Sequence, residues 1–303
     1  MSAGAPFGVR MVADGAARDA AHTVRTAVFV DEQGVSPDIE RDALDVLSRH
    51  VLATGPDGTP IGAGRIAPDG RIGRMAVLAD WRGRGVGEAM LLALLDDARD
   101  RGLRSTWLHA QLPAMGLYAR AGFVAEGPQF DEAGIAHRTM RRHTGAAFAV
   151  DDLDTAVDAT VTIIASARRT LVLRSRDLDP GLYDHPDVLG ALRRFATSTR
   201  GASVQVLLHD PATVQRRGSP LLALAQRLPS ALAFRAVEDP VDREFAGAFL
   251  ANDAGGFHVR TLGTRVDGDA ATDLPGRARQ LQQQFAPVWG RSRVCSEFRA
   301  LGI

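Results

Sequence analysis

The 303-residue chain contains no lysine: all 36 of its basic residues are arginine. That absence excludes a phosphate-loop lysine, a Schiff-base lysine and a pyridoxal-phosphate lysine. Cysteine occurs once, at Cys295. An intrachain disulfide and a cysteine-based zinc cluster are therefore excluded, and the cytoplasm is the expected compartment. Net charge is absent too, with 36 acids matching 36 bases. Nothing in that balance offers a general electrostatic grip on nucleic acid or a membrane. No apolar run approaches the ~20 residues of a membrane span. The N-terminus lacks a basic region followed by a continuous apolar segment, so no signal peptide is expected. The eight histidines show no i, i+4 pairing, and no metal is expected. Trp81, Trp107 and Trp289 are not interleaved with basic clusters, which argues against a base-stacking surface. Hydrophobic residues, at 45%, are enough for a proper core, and the length suits two domains.

The most informative stretch runs from Arg74 to Gly87, Arg-Met-Ala-Val-Leu-Ala-Asp-Trp-Arg-Gly-Arg-Gly-Val-Gly. It reads as a strand, a glycine-rich turn and a helix start. Such a turn presents backbone N–H groups and a positive dipole end to an anion, usually a phosphate. Gly83, Gly85 and Gly87 let the backbone approach a ligand closely, and Arg82 and Arg84 add guanidinium donors. The order differs from both the phosphate loop and the dinucleotide fingerprint. The competing reading is a turn that only packs a helix on a sheet.

Strand and helix patterns alternate along the chain. Phe7–Val12, Arg49–Thr54, Pro60–Ala67, Arg71–Leu78, Thr106–Gln111, Phe123–Ala125 and Ala136–Arg141 predict strands. Ala16–Val30 predicts an amphipathic helix. Val86, Met90, Leu94 and Ala98 mark another, ended by Gly102; Pro113 opens and Gly122 closes a third. The Gly145-Ala-Ala147 region suggests a joint, followed by a second α/β pattern. The organisation expected is a domain over 1–143, a linker over 144–150 and a domain over 151–303.

The first ~143 residues resemble the GNAT superfamily of N-acetyltransferases, a size that fits one domain. Arg82-Gly-Arg-Gly-Val-Gly87 matches the family's pyrophosphate turn. Met75-Ala-Val77 matches the strand whose backbone pairs with pantetheine. Gln111 to Phe123 matches a later motif, with Tyr118 at the tyrosine position and Gln111 where the family often has Asn. Val24–Gly34, Leu108-His-Ala-Gln111 and Glu132-Ala-Gly-Ile-Ala-His137 resemble the narrower ElaA-like branch. The resemblance implies an α/β (α+β) fold, a mixed twisted sheet with flanking helices. It also implies acetyl-CoA as cosubstrate, held by Met75, Ala76, Val77, Arg82, Gly83, Arg84, Gly85, Val86, Gly87, Gln111 and Tyr118. The second half resembles, more faintly, a smaller α/β module of phospholipase-D type. Its nearest string to that catalytic motif is His258-Val-Arg-Thr-Leu-Gly-Thr-Arg265, without the lysine or the aspartate. A catalytically silent partner domain is expected.

Acetyl transfer to an amine needs a held and polarised thioester, a neutral amine and a stabilised leaving thiolate. The Val77 N–H or a neighbour is a candidate to polarise the thioester. Tyr118 is the candidate acid for the thiolate, a phenol near ~10 facing a thiol near ~8.5; an ordinary packing tyrosine is the alternative. Glu32 is the first candidate base, in a run where Asp31, Glu32, Asp38, Glu40, Asp42 and Asp45 crowd together. Such a cluster attracts a cationic amine, although a solvated acidic loop is the plainer reading. His109 is the second candidate base. Arg25, Glu32, His50, Arg74 and His137 are candidates to line the acceptor pocket, with a structural role as the alternative for each. The expected partners are acetyl-CoA and an amine acceptor, with neither membrane nor nucleic acid; a homodimer is compatible with the sequence. The rival expectation is a non-enzymatic acyl-CoA sensor or docking protein acting through its C-terminal half.

Overall fold

Two compact units emerge in the computed structural model, which describes residues 7–12 and 15–298. The extreme ends of the two expected domains lie outside those residues. The first unit comprises residues up to 117 together with 127–144. The second takes residues 118–126 and everything from 145 onward, and it is the larger of the two, not the smaller as expected.

The first unit begins with β1 (Gly8–Val12) and α1 (Gly15–Arg25). Ala17, Ala21, Val24 and Val28 recur at helical spacing and are all buried, laying this face on the sheet. The single helix expected to Val30 does not hold its pitch. From Thr26 to Glu32 it widens into a π-helix, a form that concentrates at functional sites. Two short helices the periodicity missed follow, α2 (Pro37–Glu40) and α3 (Leu44–Leu47). Next come β2 (Arg49–Thr54), β3 (Pro60–Ile66) and β4 (Ile72–Val77), then α4 (Val86–Asp100), β5 (Ser105–Gln111), α5 (Met115–Arg120), β6 (Val124–Glu132) and β7 (Ile135–His143). The expected sheet is in fact two: β1-β2-β3-β4, all antiparallel, and β5-β7-β6.

The second unit builds one eight-stranded sheet in the order β15-β11-β10-β9-β12-β13-β14-β8. Its strands are β8 (Phe148–Val150), β9 (Thr170–Ser175), β10 (Ser203–Leu208), β11 (Leu232–Ala236), β12 (Ala248–Asn252), β13 (Phe257–Arg260), β14 (Gly268–Ala271) and β15 (Arg293–Val294). Its helices are α6 (Leu153–Ser166), α7 (Pro186–Ser198), α8 (Pro211–Arg217), α9 (Pro220–Arg227), α10 (Pro240–Arg243) and α11 (Pro275–Arg291). Five of them start on proline, and Asp152, His185, Asp210, Ser219 and Asp239 cap helix starts through their side chains. β9, β10 and β11 run parallel, and apolar clusters cover both faces of the sheet, as a parallel core requires. Within this unit the Thr162 and Thr272 hydroxyls donate to the carbonyls of Phe123 (3.0 Å) and Gly122 (2.7 Å).

Candidate functional site

β4 and β5 meet at one end only. Trp107 N–H donates to the Gly70 carbonyl at 3.1 Å, and Arg71 bridges to Trp107 in parallel. Gly70 makes this close approach feasible: its φ is +83°, and a Cβ there would lie 2.5 Å from the Ser105 carbonyl oxygen. Beyond the bridge the two strands belong to different sheets. β4 also carries a bulge. Ala63 faces Ala76 and Arg65 faces Gly73, so one extra residue sits on β4, and Arg74 takes a φ of +54°. Past the bulge, Leu78 N–H donates to the Ile61 carbonyl at 3.0 Å. Hydrogen-bonded and non-hydrogen-bonded pairs alternate in an antiparallel ladder. Val77, opposite Gly62, is thus a non-hydrogen-bonded residue, and its N–H and C=O point away from β3 into the gap between β4 and β5.

The glycine turn follows at once. Gly83 and Gly85 have φ of +73° and +85°, and a Cβ at either would meet open space. Glycine is needed there for the left-handed backbone and not for room. Gly87 is different, with no positive φ; a Cβ there would sit 3.7 Å from Leu117 and 3.8 Å from Val77. Gly85 caps α4 without any side-chain hydrogen bond, so the first amides of a 15-residue helix face the turn. Val86 is buried and offers only its backbone; Ala76 is buried too, and Met75 Sδ lies where a Cβ on Gly64 would come within 2.5 Å. The Arg84 guanidinium stacks 5.0 Å from the Trp81 ring. Arg82 donates through Nε to the Val77 carbonyl at 3.0 Å and grips Glu32 with both terminal nitrogens, at 2.7 and 2.6 Å.

That grip bears on the expected bases. The hydrogen bonds from Arg82 hold the Glu32 carboxyl below its ordinary value, the opposite of what a poised base needs. Glu40, Asp42 and Asp45 of the acidic run are bound as well. Arg25, 1% exposed, reaches Glu40 and holds Asp45 at 2.7 Å. Arg65 bonds Asp42 and Asp45, and Arg74 bonds Asp42 at 3.0 Å and the Ile39 and Glu40 carbonyls. Burial pushes the Asp45 carboxyl up, but Arg25 and Arg65 outweigh it and hold it far below its usual range. His50 is buried, its Nε2 2.9 Å from the Asp45 carbonyl, and burial lowers its pKa. Arg25, His50 and Arg74, expected to line an acceptor pocket, instead build a charge-compensated network that fixes α2 and α3. The cavity on this side, about 380 Å³, is lined by Thr26, Val30, Pro37, Asp38, Glu40 and Arg41.

His109 keeps its place among the candidates. On β5, Thr106, Leu108 and Ala110 are buried, while Trp107, His109 and Gln111 share the other, half-exposed face. Gln111 lies opposite His137 and bonds Gln33, the residue after the π-helix, at 3.4 Å. Gln111, Gln33, Glu32, Arg82 and Val77 therefore ring one mouth. His109, two residues along the strand from Gln111, is about 7 Å away. Its Nδ1 lies 2.7 Å from Glu132 Oε2 on β6, and Phe130 meets its ring edge-on at 4.8 Å. The His137 ring stacks on Phe130 at 6.1 Å. Glu132 did not emerge from the sequence as a site residue.

Tyr118, on α5, is 8% exposed, and burial pushes its phenol up to about 12. Passing a proton to a thiolate whose thiol titrates near ~8.5 is uphill even for a phenol near ~10, and burial steepens it. The phenol suits hydrogen-bond donation to a thiolate, not the expected proton delivery. In the second unit the string from His258 offers no open chemistry. His258 is buried and pushed down to about 4, Arg260 is paired with Asp179, and Arg265 bonds Asp267 at 2.6 Å. Among the described residues no group of histidine, cysteine or carboxylate side chains is arranged to hold a metal, and no helix is long and apolar enough to cross a membrane.

Residues 19–144 match the family described as Acetyltransferase (GNAT) domain, and residues 152–301 match a domain of unknown function (DUF7931). That second match does not bear out the likeness to a phospholipase-D-type module. The Bacillus subtilis uncharacterized N-acetyltransferase YjcF is 37% identical over 124 residues, covering 39% of this chain and 87% of its own. The putative acetyltransferase BSU40680 of the same organism is 31% identical over 133 residues, 42% of this chain and 90% of its own. Among solved structures, Escherichia coli ElaA is similar at 25% identity over 45% of this chain and 99% of its own, with a TM-score of 0.41.

Proposed function

Since the chain belongs to the GNAT acetyltransferase family through its first half, we propose that it transfers an acetyl group from acetyl-CoA to a primary amine, by direct attack in a ternary complex in the cytoplasm. The observation that carries this reading is the pairing of an outward-facing Val77 amide with the uncapped start of α4 across one glycine turn. A pyrophosphate suits the amides of residues 83–87, with Arg82 and Arg84 as charged donors. The pantetheine arm suits the edge of Met75–Val77, where a strand-like partner finds the Val77 N–H facing the gap, and Gln111 across it. A thioester oxygen near the Val77 N–H gains a fixed dipole as negative charge develops on it. Tyr118 donates its O–H to the leaving sulfur. His109 takes the proton from the amine, and His137 and Glu32 border the acceptor. Residues 1–143 are assigned this chemistry, and residues 151–303 a supporting role without catalysis of their own.

Coenzyme A release, followed with acetyl-CoA and a panel of tyramine, spermidine and a peptide with a free α-amine, tests the proposal. Turnover of at least one amine is expected, with kcat for Tyr118→Phe reduced by about tenfold. Equal turnover by the two proteins removes Tyr118 from the mechanism. Tight binding of acetyl-CoA with no amine consumed favours a sensor.

A further inference from the structure

We infer that Glu132 is a positioning residue for the reaction: its carboxylate fixes the His109 ring so that Nε2 is the atom presented to the amine. The inference rests on the acyltransfer reading above for its chemistry, and on geometry alone for its structural half.

An imidazole has two nitrogens and, when neutral, one proton; whichever partner claims one nitrogen decides what the other can do. Two groups approach Nδ1 of His109. Glu132 Oε2 stands at 2.7 Å and Arg71 Nη2 at 3.4 Å. A carboxylate only accepts and a guanidinium only donates, so the two demand opposite protonation of Nδ1. The short, charge-assisted contact prevails over the long one. Arg71 has other work, with its guanidinium 5.1 Å from the Trp107 ring centre and 3.8 Å from Glu132 Oε1. Nδ1 therefore carries the proton, donates it to Glu132, and leaves a lone pair on Nε2.

The surroundings hold this arrangement. Phe130 fixes the ring from its edge, and Trp107 lies 5.5 Å away at a tilt. β5 and β7 are paired from Ser105–His143 through Gln111–His137, so His109 rides on a continuous ladder. The charged or titratable groups around the pair come from each neighbouring element: Arg71 before β4, Glu132 on β6, and His137 and Arg141 on β7. Arg141 is turned to the Ser105 hydroxyl at 3.3 Å. Burial raises the Glu132 carboxyl, but the hydrogen bond from His109 and nearby positive charge, that of Arg71 included, outweigh it and hold it below its ordinary value.

The chemistry balances without a further reactant. Nε2 removes one proton from the ammonium form of the acceptor. The neutral nitrogen attacks the thioester carbon, a C–N bond forms and the C–S bond breaks. The nitrogen's surplus proton goes to the departing thiolate, directly or through solvent. The imidazolium, stabilised by Glu132 while it exists, then releases its proton to water. The products are an amide, coenzyme A thiol and one proton.

Two measurements test the assignment. Ring-nitrogen NMR of the full-length protein labelled with ¹⁵N-histidine reads the tautomer directly, with His109→Gln supplying the assignment. The Nδ1–H form is expected in the wild type and in Glu132→Gln, and a mixture in Glu132→Ala. Steady-state kinetics with acetyl-CoA and the best amine of the panel give the second readout. For Glu132→Ala, kcat is expected to fall about tenfold or more with KM for acetyl-CoA unchanged. For Glu132→Gln the acid limb of the pH–rate profile moves to lower pH, because a neutral amide no longer stabilises the imidazolium. A dominant Nε2–H form in the wild type overturns the inference, as does a Glu132→Ala protein with wild-type kcat and pH profile. A chain inert toward every amine but showing the expected tautomers sinks the acyltransfer reading and leaves the histidine–glutamate pair standing.

Discussion

In the first unit the sheet is interrupted after β4, whereas in the second eight strands run from β15 to β8 with every neighbour hydrogen-bonded. Both contain buried arginine–carboxylate pairs, yet they use them differently. Arg260 and Asp179 compensate each other inside the second unit, beside a buried His258. Arg25, Arg65 and Arg74 tie down two short helices bordering the cleft of the first. Unpaired backbone is tolerated where a ligand can replace the missing strand, and a sheet closed to its edges has no such vacancy to offer. Charged residues in the second unit are thus read as packing, and those of the first as scaffolding for an open edge.

Three perturbations can break that contrast. The largest effect is expected from Arg25→Ala, which leaves the buried Glu40 carboxylate without its partner and Asp45 with Arg65 alone. Uncompensated buried charge costs about 3–5 kcal/mol, to be read from the urea midpoint of the first unit's transition. A loss under ~1 kcal/mol would mean that the network is solvated and not structural. Next is Gly85→Val, which forces a β-branched side chain into a left-handed backbone at about 1–2 kcal/mol. Coenzyme A affinity by calorimetry is expected to fall about tenfold, while His258→Ala in the second unit leaves it within about twofold. Equal losses from both substitutions would erase the division of labour. The smallest effect concerns acid. Asp45 and Asp42 have folded pKa values below their unfolded ones, by virtue of Arg25, Arg65 and Arg74. Their contribution is complete above the unfolded carboxylate value of ~3.9 and fades as pH falls below it. Denaturation midpoints at about pH 3 and pH 6 should therefore differ, with the acid sample weaker; a stronger acid sample would contradict the pairing.

Much of this was legible in the chain because it is local. The strand before Arg82, the helix starting at Val86 and its stop near Gly102 follow from patterns within a few residues. The open edge was not legible from residue patterns, since it depends on which strands fail to pair; only the family resemblance implied it. Gly268–Ala271 escaped notice because Gly-Asp-Ala-Ala has no strand-forming residue, and it pairs only because β13 and β8 flank it. The acidic run misled for the same reason. Its arginine partners lie as far as 50 residues away in sequence, so much of an apparent patch of free charge is an ion-pair network. Glu132 stood in plain view, 23 residues from His109, but only the β5-β7-β6 arrangement brings the two together.

Arg74 bears one more consequence. The extra residue it adds to β4 advances the strand's phase by one, so every peptide group downstream is turned over relative to β3. Were Arg74 drawn into a regular ladder with no bulge, Val77 would fall opposite Ile61, its amide would turn to face β3, and the groove would lose the one rung it had spare. The orientation of a whole strand end is written, in this chain, into the handedness of a single arginine.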